Sequence, residues 1–255
     1  MDINNKTVLI TGGASGLGLA TAREIINSGG KVMLLDLNED AAKDACLELG
    51  ESSKYSIANV TEEESVKLAI ENAKNSFGSI DVVVNCAGIG SASKTVGKDG
   101  PHPLDYFKLV IEINLVGTFN VLRLAAVEMG KNTPGEDGEC GVIINTASVA
   151  AFDGQIGQAA YSASKAGVSG MTLPIARDLS RMGIRINTIA PGIFDTPMMA
   201  MAPDKVRTPL IEMTQFPKRL GLPEEYGSLA KHIIENRFLN GETIRLDGSI
   251  RMQPK

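Results

Sequence analysis

The chain is short of the residues from which metal centres and covalent staples are built. It has two histidines, His102 and His232, and three cysteines, Cys46, Cys86 and Cys140. Two distant histidines cannot make a His-rich metal centre, which gathers several imidazoles around one ion. Cysteines that are odd in number and widely spaced form neither a disulfide framework nor a CxxC metal motif. Positive charge is scarce as well. Twenty-five Lys and Arg stand against 30 Asp and Glu, giving a net charge of −5 and a pI near 5.2. With no basic patch along the chain, nucleic acid and anionic membrane surfaces are poor partners. No uninterrupted apolar run reaches the ~18 residues that a membrane span needs. Met1–Lys6 has neither a signal-peptide nor a transit pattern, so the expected setting is a reducing cytoplasm.

What is present is a regular alternation. Hydrophobic residues make up 43% of the 255, enough for a sizeable core, and charged residues 22%. Short β-branched runs at Thr7–Ile10, Lys31–Leu35, Lys54–Ala58, Asp81–Val84, Val142–Asn145, Arg185–Ile189 and Glu242–Leu246 read as strands. Between them, helical patterns fall near 16–28, 39–49, 62–77, 104–130, 161–181 and 224–235. Such alternation predicts an α/β fold: a Rossmann-type, doubly wound parallel sheet of about seven strands with helices on both faces. No linker interrupts it, so residues 1–255 are expected to form a single domain. The polar stretches 90–103 and 132–139 read as inserted loops, and Pro174 inside a helical pattern predicts a kink.

The first strand runs into Thr11-Gly12-Gly13-Ala14-Ser15-Gly16-Leu17-Gly18 and then a helix. Glycines suit a tight turn that brings backbone close to a pyrophosphate, and the helix N-terminus offers N–H groups to its oxygens. Eighteen residues past Gly18, Asp36 ends the second strand and Leu37 follows. A carboxylate there accepts hydrogen bonds from ribose hydroxyls and repels a 2′-phosphate, which favours NAD over NADP. The other reading of Asp36 is an N-cap for the helix near Glu39.

Tyr161-Ser162-Ala163-Ser164-Lys165 puts Tyr161 and Lys165 four residues apart on one helical face. Ser148 lies thirteen residues before Tyr161, at the end of Ile144-Asn145-Thr146-Ala147. With the Gly-rich turn, Asn85-Cys86-Ala87-Gly88, Asn114 and Pro191-Gly192, these residues resemble the short-chain dehydrogenase/reductase family over nearly the whole length. The resemblance implies Tyr161 as proton-transferring residue, supported by Asn114, Ser148 and Lys165. A phenol with its ordinary pKa of ~10 is a poor base near neutrality, and nearby cations favour the phenolate. Lys165 is the expected cation and also the ligand of the nicotinamide ribose, while Ser148 would hold the substrate oxygen. Asn114 would hold a water in a proton relay, its other reading being a core residue bonded to backbone.

The same resemblance assigns Gly12, Ser15, Gly16, Leu17, Gly18, Asp36 and Leu37 to the cofactor. Asn59 and Val60 stand where the family usually carries Asp-Val against adenine, and Asn85–Gly88 would flank the adenine side. Pro191, Gly192, Phe194 and Thr196 would meet the nicotinamide. Gly141–Phe152, Gly157–Lys165, Gly170–Leu179 and Asn240-Gly241-Glu242 further resemble one subgroup, the type 2 3-hydroxyacyl-CoA dehydrogenases. That implies oxidation of the 3-hydroxyl of an acyl-CoA and a homotetramer, with Gln155 and Gln158 on the substrate side or merely polar in a loop. Lys94 and Lys98 either attract CoA phosphates or sit in a solvated loop. The Met-, Pro- and Phe-rich segment suggests a substrate lid over 193–220. A steroid or other secondary alcohol, or a nucleotide-binding scaffold without catalysis, are the competing functions.

Overall fold

The computed structural model describes residues 1–90, 92–200 and 204–254. Seven parallel strands form one sheet in the order β3-β2-β1-β4-β7-β8-β9. They are β1 (Thr7–Thr11), β2 (Lys31–Asp36), β3 (Ser53–Ile57), β4 (Val82–Asn85), β7 (Gly141–Thr146), β8 (Ile184–Pro191) and β9 (Thr243–Leu246). β5 (Val96–Gly97) and β6 (Gly100–Pro101) form a small antiparallel hairpin inside the 90–103 insertion. The central strands are apolar on both sides because both faces are covered. Successive side chains point to opposite faces, so Leu9 joins one core while Val8 and Ile10 join the other. Helices α3 (Glu63–Phe77), α5 (Thr118–Met129) and α6 (Ala159–Leu179) pack on Leu9's side. Helices α1 (Gly16–Asn27) and α9 (Pro223–Glu235) close the opposite face, and α2 (Glu39–Leu49) packs beside β3.

From β1 the chain builds outward through β2 and β3, then returns to add β4 on β1's other flank. Connections therefore leave β1 and β4 in opposite directions, and a crevice opens beyond their carboxyl ends. Strand boundaries fall within two residues of those read from the sequence.

The helix expected near 104–130 is continuous but not uniform. α4 (Leu104–Ile111) passes into a π-helical turn at Glu112–Gly117 and then into α5. This helix, Leu104–Met129, is long and apolar enough to cross a membrane by length and composition alone. Half of its most apolar stretch is buried inside the protein, and its residues supply the core between sheet and α3. Pro174 does not break α6, which runs on to Leu179. The segment read as a lid carries two helices, α7 (Pro197–Ala200) and α8 (Asp204–Met213). Residues 201–203 of that segment lie outside the described residues.

One buried ion pair ties the far end of the sheet together. Arg185 on β8 donates to Glu139 at 2.6 Å, with both side chains less than a tenth exposed. Its remaining N–H groups reach the carbonyls of Ile233, Ile234, Asn236 and Leu239 at the end of α9. Removing Arg185 leaves the α9 carbonyls unpaired and Glu139 with only the Met1 ammonium, 2.9 Å away. Arg185→Ala should therefore lower unfolding stability by about 3–5 kcal/mol, measured by chemical denaturation; a loss below 1 kcal/mol would contradict this role.

Candidate active site

A cleft of about 560 Å³ runs along the carboxyl ends of the central strands. At one end the glycine turn and α1 form its floor. Gly12, Ser15, Gly16, Leu17 and Gly18 all line it. Ser15 caps α1 with extended backbone but makes no side-chain capping bond. The first-turn N–H groups, which have no partner inside a helix, stay available to a ligand. A Cβ on Gly18 would collide with the Gly12 carbonyl, so only glycine lets α1 start this close to the turn.

Asp36 lines the cleft at the end of β2. One carboxylate oxygen accepts from Ala14 N and the other from Asn38 N, both at 3.1 Å. The cap of α2 is Asn38, whose side chain accepts from Ala41 N, so the capping alternative for Asp36 does not apply. Leu37, more than two-thirds exposed, and Val60, nearly buried, also line this end. Asn59 lines it too, yet its side-chain oxygen accepts from both Thr61 N and Thr61 Oγ1, and its amide donates to Glu62. A carbonyl oxygen has two lone pairs, and Thr61 takes both. The Asn59 side-chain oxygen is thus engaged in a local turn at this end of the cleft.

At the other end, the Thr146–Ser148 corner and α6 bring the polar groups together. Tyr161 lies one helical turn before Lys165, whose ammonium is 5.9 Å from the centre of the phenol ring. Ser148 is the hydrogen-bond partner of Tyr161 and also accepts from Ala150 N. Lys165 Nζ donates to the Thr146 carbonyl at 2.8 Å. Asn114, fully buried in the π-helical turn, does not line the cleft. Its oxygen accepts from Ile89 N at 2.8 Å, and its amide donates to Ile89 O and Ser164 Oγ. That side chain is bonded to backbone, as its second reading held, and it fixes the Gly88–Ile89 backbone beside Lys165.

Burial governs the charges here. It pushes the Tyr161 phenol above its ordinary value, against the pull of the Ser148 hydrogen bond. The same desolvation brings Lys165 down to about 8, partly offset by the Cys86 thiol nearby. The phenol is thus raised in the protein alone, because desolvation outweighs the Ser148 hydrogen bond.

Cys86, Ala87, Gly88, Gln158, Pro191, Gly192, Phe194 and Thr196 line the cleft as well. Phe194 is nearly buried, its ring packed on Gly221. Asn85 sits behind the wall, bonded to Asn145. Gln155 is turned away: its amide donates to Gln253 O in the C-terminal tail, while its backbone N–H donates to Gln158 Oε1. Three participants escaped the sequence reading. Thr11 Oγ1 accepts from both Cys86 N and Ala87 N, Thr146 supplies the acceptor for Lys165, and Met252 reaches the cleft from the tail. Thr11 adjoins the glycine turn and Thr146 precedes Ser148 closely, so both had a positional signal; Met252 had none. Among the described residues, no group of three or more His, Cys, Asp or Glu is placed to hold a metal ion.

A glycine-floored crevice at a topological switch point, with Ser148, Tyr161 and Lys165 at its far end, is the layout of a dehydrogenase. The chain belongs to the short chain dehydrogenase family, whose model matches residues 6–207. Within that family it is similar to 3-hydroxyacyl-CoA dehydrogenase type-2 of Bos taurus, 57% identical over 254 residues, which span 99% of this chain and 97% of that protein. The crystal structure of 3-hydroxyacyl-CoA dehydrogenase type-2 from Mycobacterium avium matches with a TM-score of 0.94 at 42% identity, covering 98% of both chains. A 3-ketoacyl-(acyl-carrier-protein) reductase from Brucella melitensis, solved in complex with NADH, matches at 0.87 and 25% identity, over 98% of this chain and 100% of that one.

Gly88 is a close approach beside Lys165. A Cβ there would stand 2.9 Å from Asn114 Oδ1 and 3.5 Å from Lys165 Nζ. Gly88→Ala should lower kcat by about two orders of magnitude, the lower range of what acid–base participation contributes, with thermal stability falling far less. Full turnover in this variant would show that the Lys165 position is not critical.

Proposed function

We propose that the chain interconverts 3-hydroxyacyl-CoA and 3-oxoacyl-CoA thioesters using NAD, with Tyr161 as the acid/base. The observation that carries this is one cleft holding a fixed carboxylate, Asp36, at one end and the Ser148–Tyr161–Lys165 group at the other. The residues fit a dinucleotide: free N–H groups at the start of α1 suit a pyrophosphate, and Asp36 suits two ribose hydroxyls while repelling a 2′-phosphate. When bound, the nicotinamide supplies the hydride acceptor for alcohol oxidation and a positive charge that favours the phenolate.

This chain's residues do the rest. Ser148 hydrogen-bonds the substrate oxygen and holds it against Tyr161. Tyr161 takes the hydroxyl proton during oxidation and returns it to the carbonyl oxygen during reduction. Lys165, charged below about pH 8, stabilises the phenolate and binds the ribose. Asn114 holds the backbone that confines the ammonium. The acyl-CoA assignment draws on the named relatives, and Gln158, Thr196 and Met199 line the cleft where such a substrate would enter. The 193–220 segment serves as a cover over that entrance. Free Cys46, Cys86 and Cys140 agree with a reducing, cytoplasmic setting.

We also propose a homotetramer. Leu109, Val116, Phe119 and Val127 are exposed along the long helix, and Leu173 and Phe238 are exposed as well. Exposed apolar side chains of this size suit the interfaces of a closed oligomer. Sedimentation should give a species of four times the 27.0 kDa chain mass; a monomer at micromolar concentration would refute it.

Mixing the protein with acetoacetyl-CoA should consume NADH, at least about tenfold faster than NADPH, equivalent to ~1.4 kcal/mol of discrimination. Tyr161→Phe should keep NADH binding and lose about 10²–10⁴ in kcat. No loss of NADH absorbance would sink the substrate assignment, and faster NADPH use the cofactor assignment. Undiminished turnover by Tyr161→Phe would sink the acid/base assignment.

A further inference from the structure

Behind Lys165 a row of hydroxyl and thiol groups runs from the cleft wall, at Cys86 and Thr146, to buried Tyr226 on α9, and the reaction itself does not use it. Tyr226 on α9 is completely buried, and its OH lies 2.7 Å from Thr146 Oγ1. Thr146 Oγ1 in turn is 2.6 Å from the Asn85 carbonyl. A carbonyl only accepts, so the single hydroxyl proton of Thr146 goes to Asn85, and Tyr226 must be the donor to Thr146. Cys86 Sγ, 3.8 Å from Tyr226 OH, completes the row as donor to the phenol oxygen. The row runs one way: Cys86, Tyr226, Thr146, Asn85.

Both ends of this row bear on the ammonium. Thr146 supplies the carbonyl that receives Lys165 Nζ at 2.8 Å. Asn85 and Cys86 lead directly into Gly88, whose missing Cβ leaves room for the same ammonium. Without a donor from α9, the Thr146 hydroxyl would have an unpaired buried acceptor, and the corner of β7 would lose its hydrogen bond to α9. An unpaired buried polar group costs more than the bond itself contributes. We propose that Tyr226 is a positioning residue that, through Thr146, sets the place of the Lys165 ammonium. It touches neither substrate nor cofactor. This rests on the reading that Lys165 serves the dehydrogenase reaction, and not on which alcohol is the substrate.

The titratable groups facing Lys165 are Tyr161 on α6, Cys86 after β4 and, one bond removed, Tyr226 on α9. Weakening the carbonyl that accepts from the ammonium disfavours its charged form. Tyr226→Phe should therefore lower kcat about tenfold, ~1.4 kcal/mol, and move the basic limb of the kcat–pH profile to lower pH. Thr146→Val should do the same, and Thr146→Ser, which keeps the hydroxyl, should restore both. If Tyr226→Phe does not fold, the Thr146 pair decides the matter. The pH dependence of NADH binding reads the same limb without turnover, so a wild type inactive on acetoacetyl-CoA would overturn the substrate assignment and leave this test intact. An unmoved basic limb in Tyr226→Phe and Thr146→Val, or a Thr146→Ser variant as impaired as Thr146→Val, would overturn the proposal.

Discussion

A charge taken out of water must find a partner that cannot move away, and the Lys165 ammonium imposes that demand on everything around it. Its partner is a backbone carbonyl, Thr146 O, at the end of a central strand. A carbonyl in that place is held by the sheet, by neighbouring strands and by the helices that cover them. The burial that makes this placement exacting also perturbs Lys165 and Tyr161, shifting both away from their charged forms. The protein therefore sets out the reacting groups with the phenol harder to ionise than in free tyrosine.

The same economy governs the opposite end of the cleft. Parallel strands leave their carboxyl ends in register, and reversal of strand order between β1 and β4 parts the connections there. Thr11, at the end of β1, binds the two N–H groups that follow β4, so the turn below the pyrophosphate region and the wall beside Lys165 share one fastening. Nucleotide end and proton-transfer end are thus mechanically one piece of backbone.

Much of this was legible because the relevant signals are local and periodic. Tyr161 and Lys165 share a face at any helical spacing of four, and Val82-Val83-Val84 announces a strand covered on both sides. The strand ends fell within two residues because β-branched runs stop where glycine or polar residues begin. Contacts across the fold were not legible. Gln155 and Gln158 are the same residue type three positions apart, and only a tail nearly a hundred residues away decides which one faces the cleft. The π-helical turn at Asn114 follows from hydrogen bonding that an apolar pattern does not encode, and α6 runs on through Pro174 to Leu179. Asn59 was readable in principle, since Asn-Val-Thr has the spacing of a side-chain-to-backbone turn, but the family's adenine position drew the reading elsewhere.

Asp36 occupies its place as the common acceptor of two backbone donors, Ala14 N and Asn38 N. Those N–H groups belong to the scaffold and would outlast any change of side chain. With a small neutral residue in place of the carboxylate, they would be left bare at the rim of the cleft, beside the ribose, as a ready receptor for an anion. Under the proposed use of NAD, the carboxylate that would repel a 2′-phosphate is therefore mounted on donors that would welcome one. On that proposal the boundary between the two coenzymes is narrow here, a single carboxylate covering a latent preference of the opposite sign.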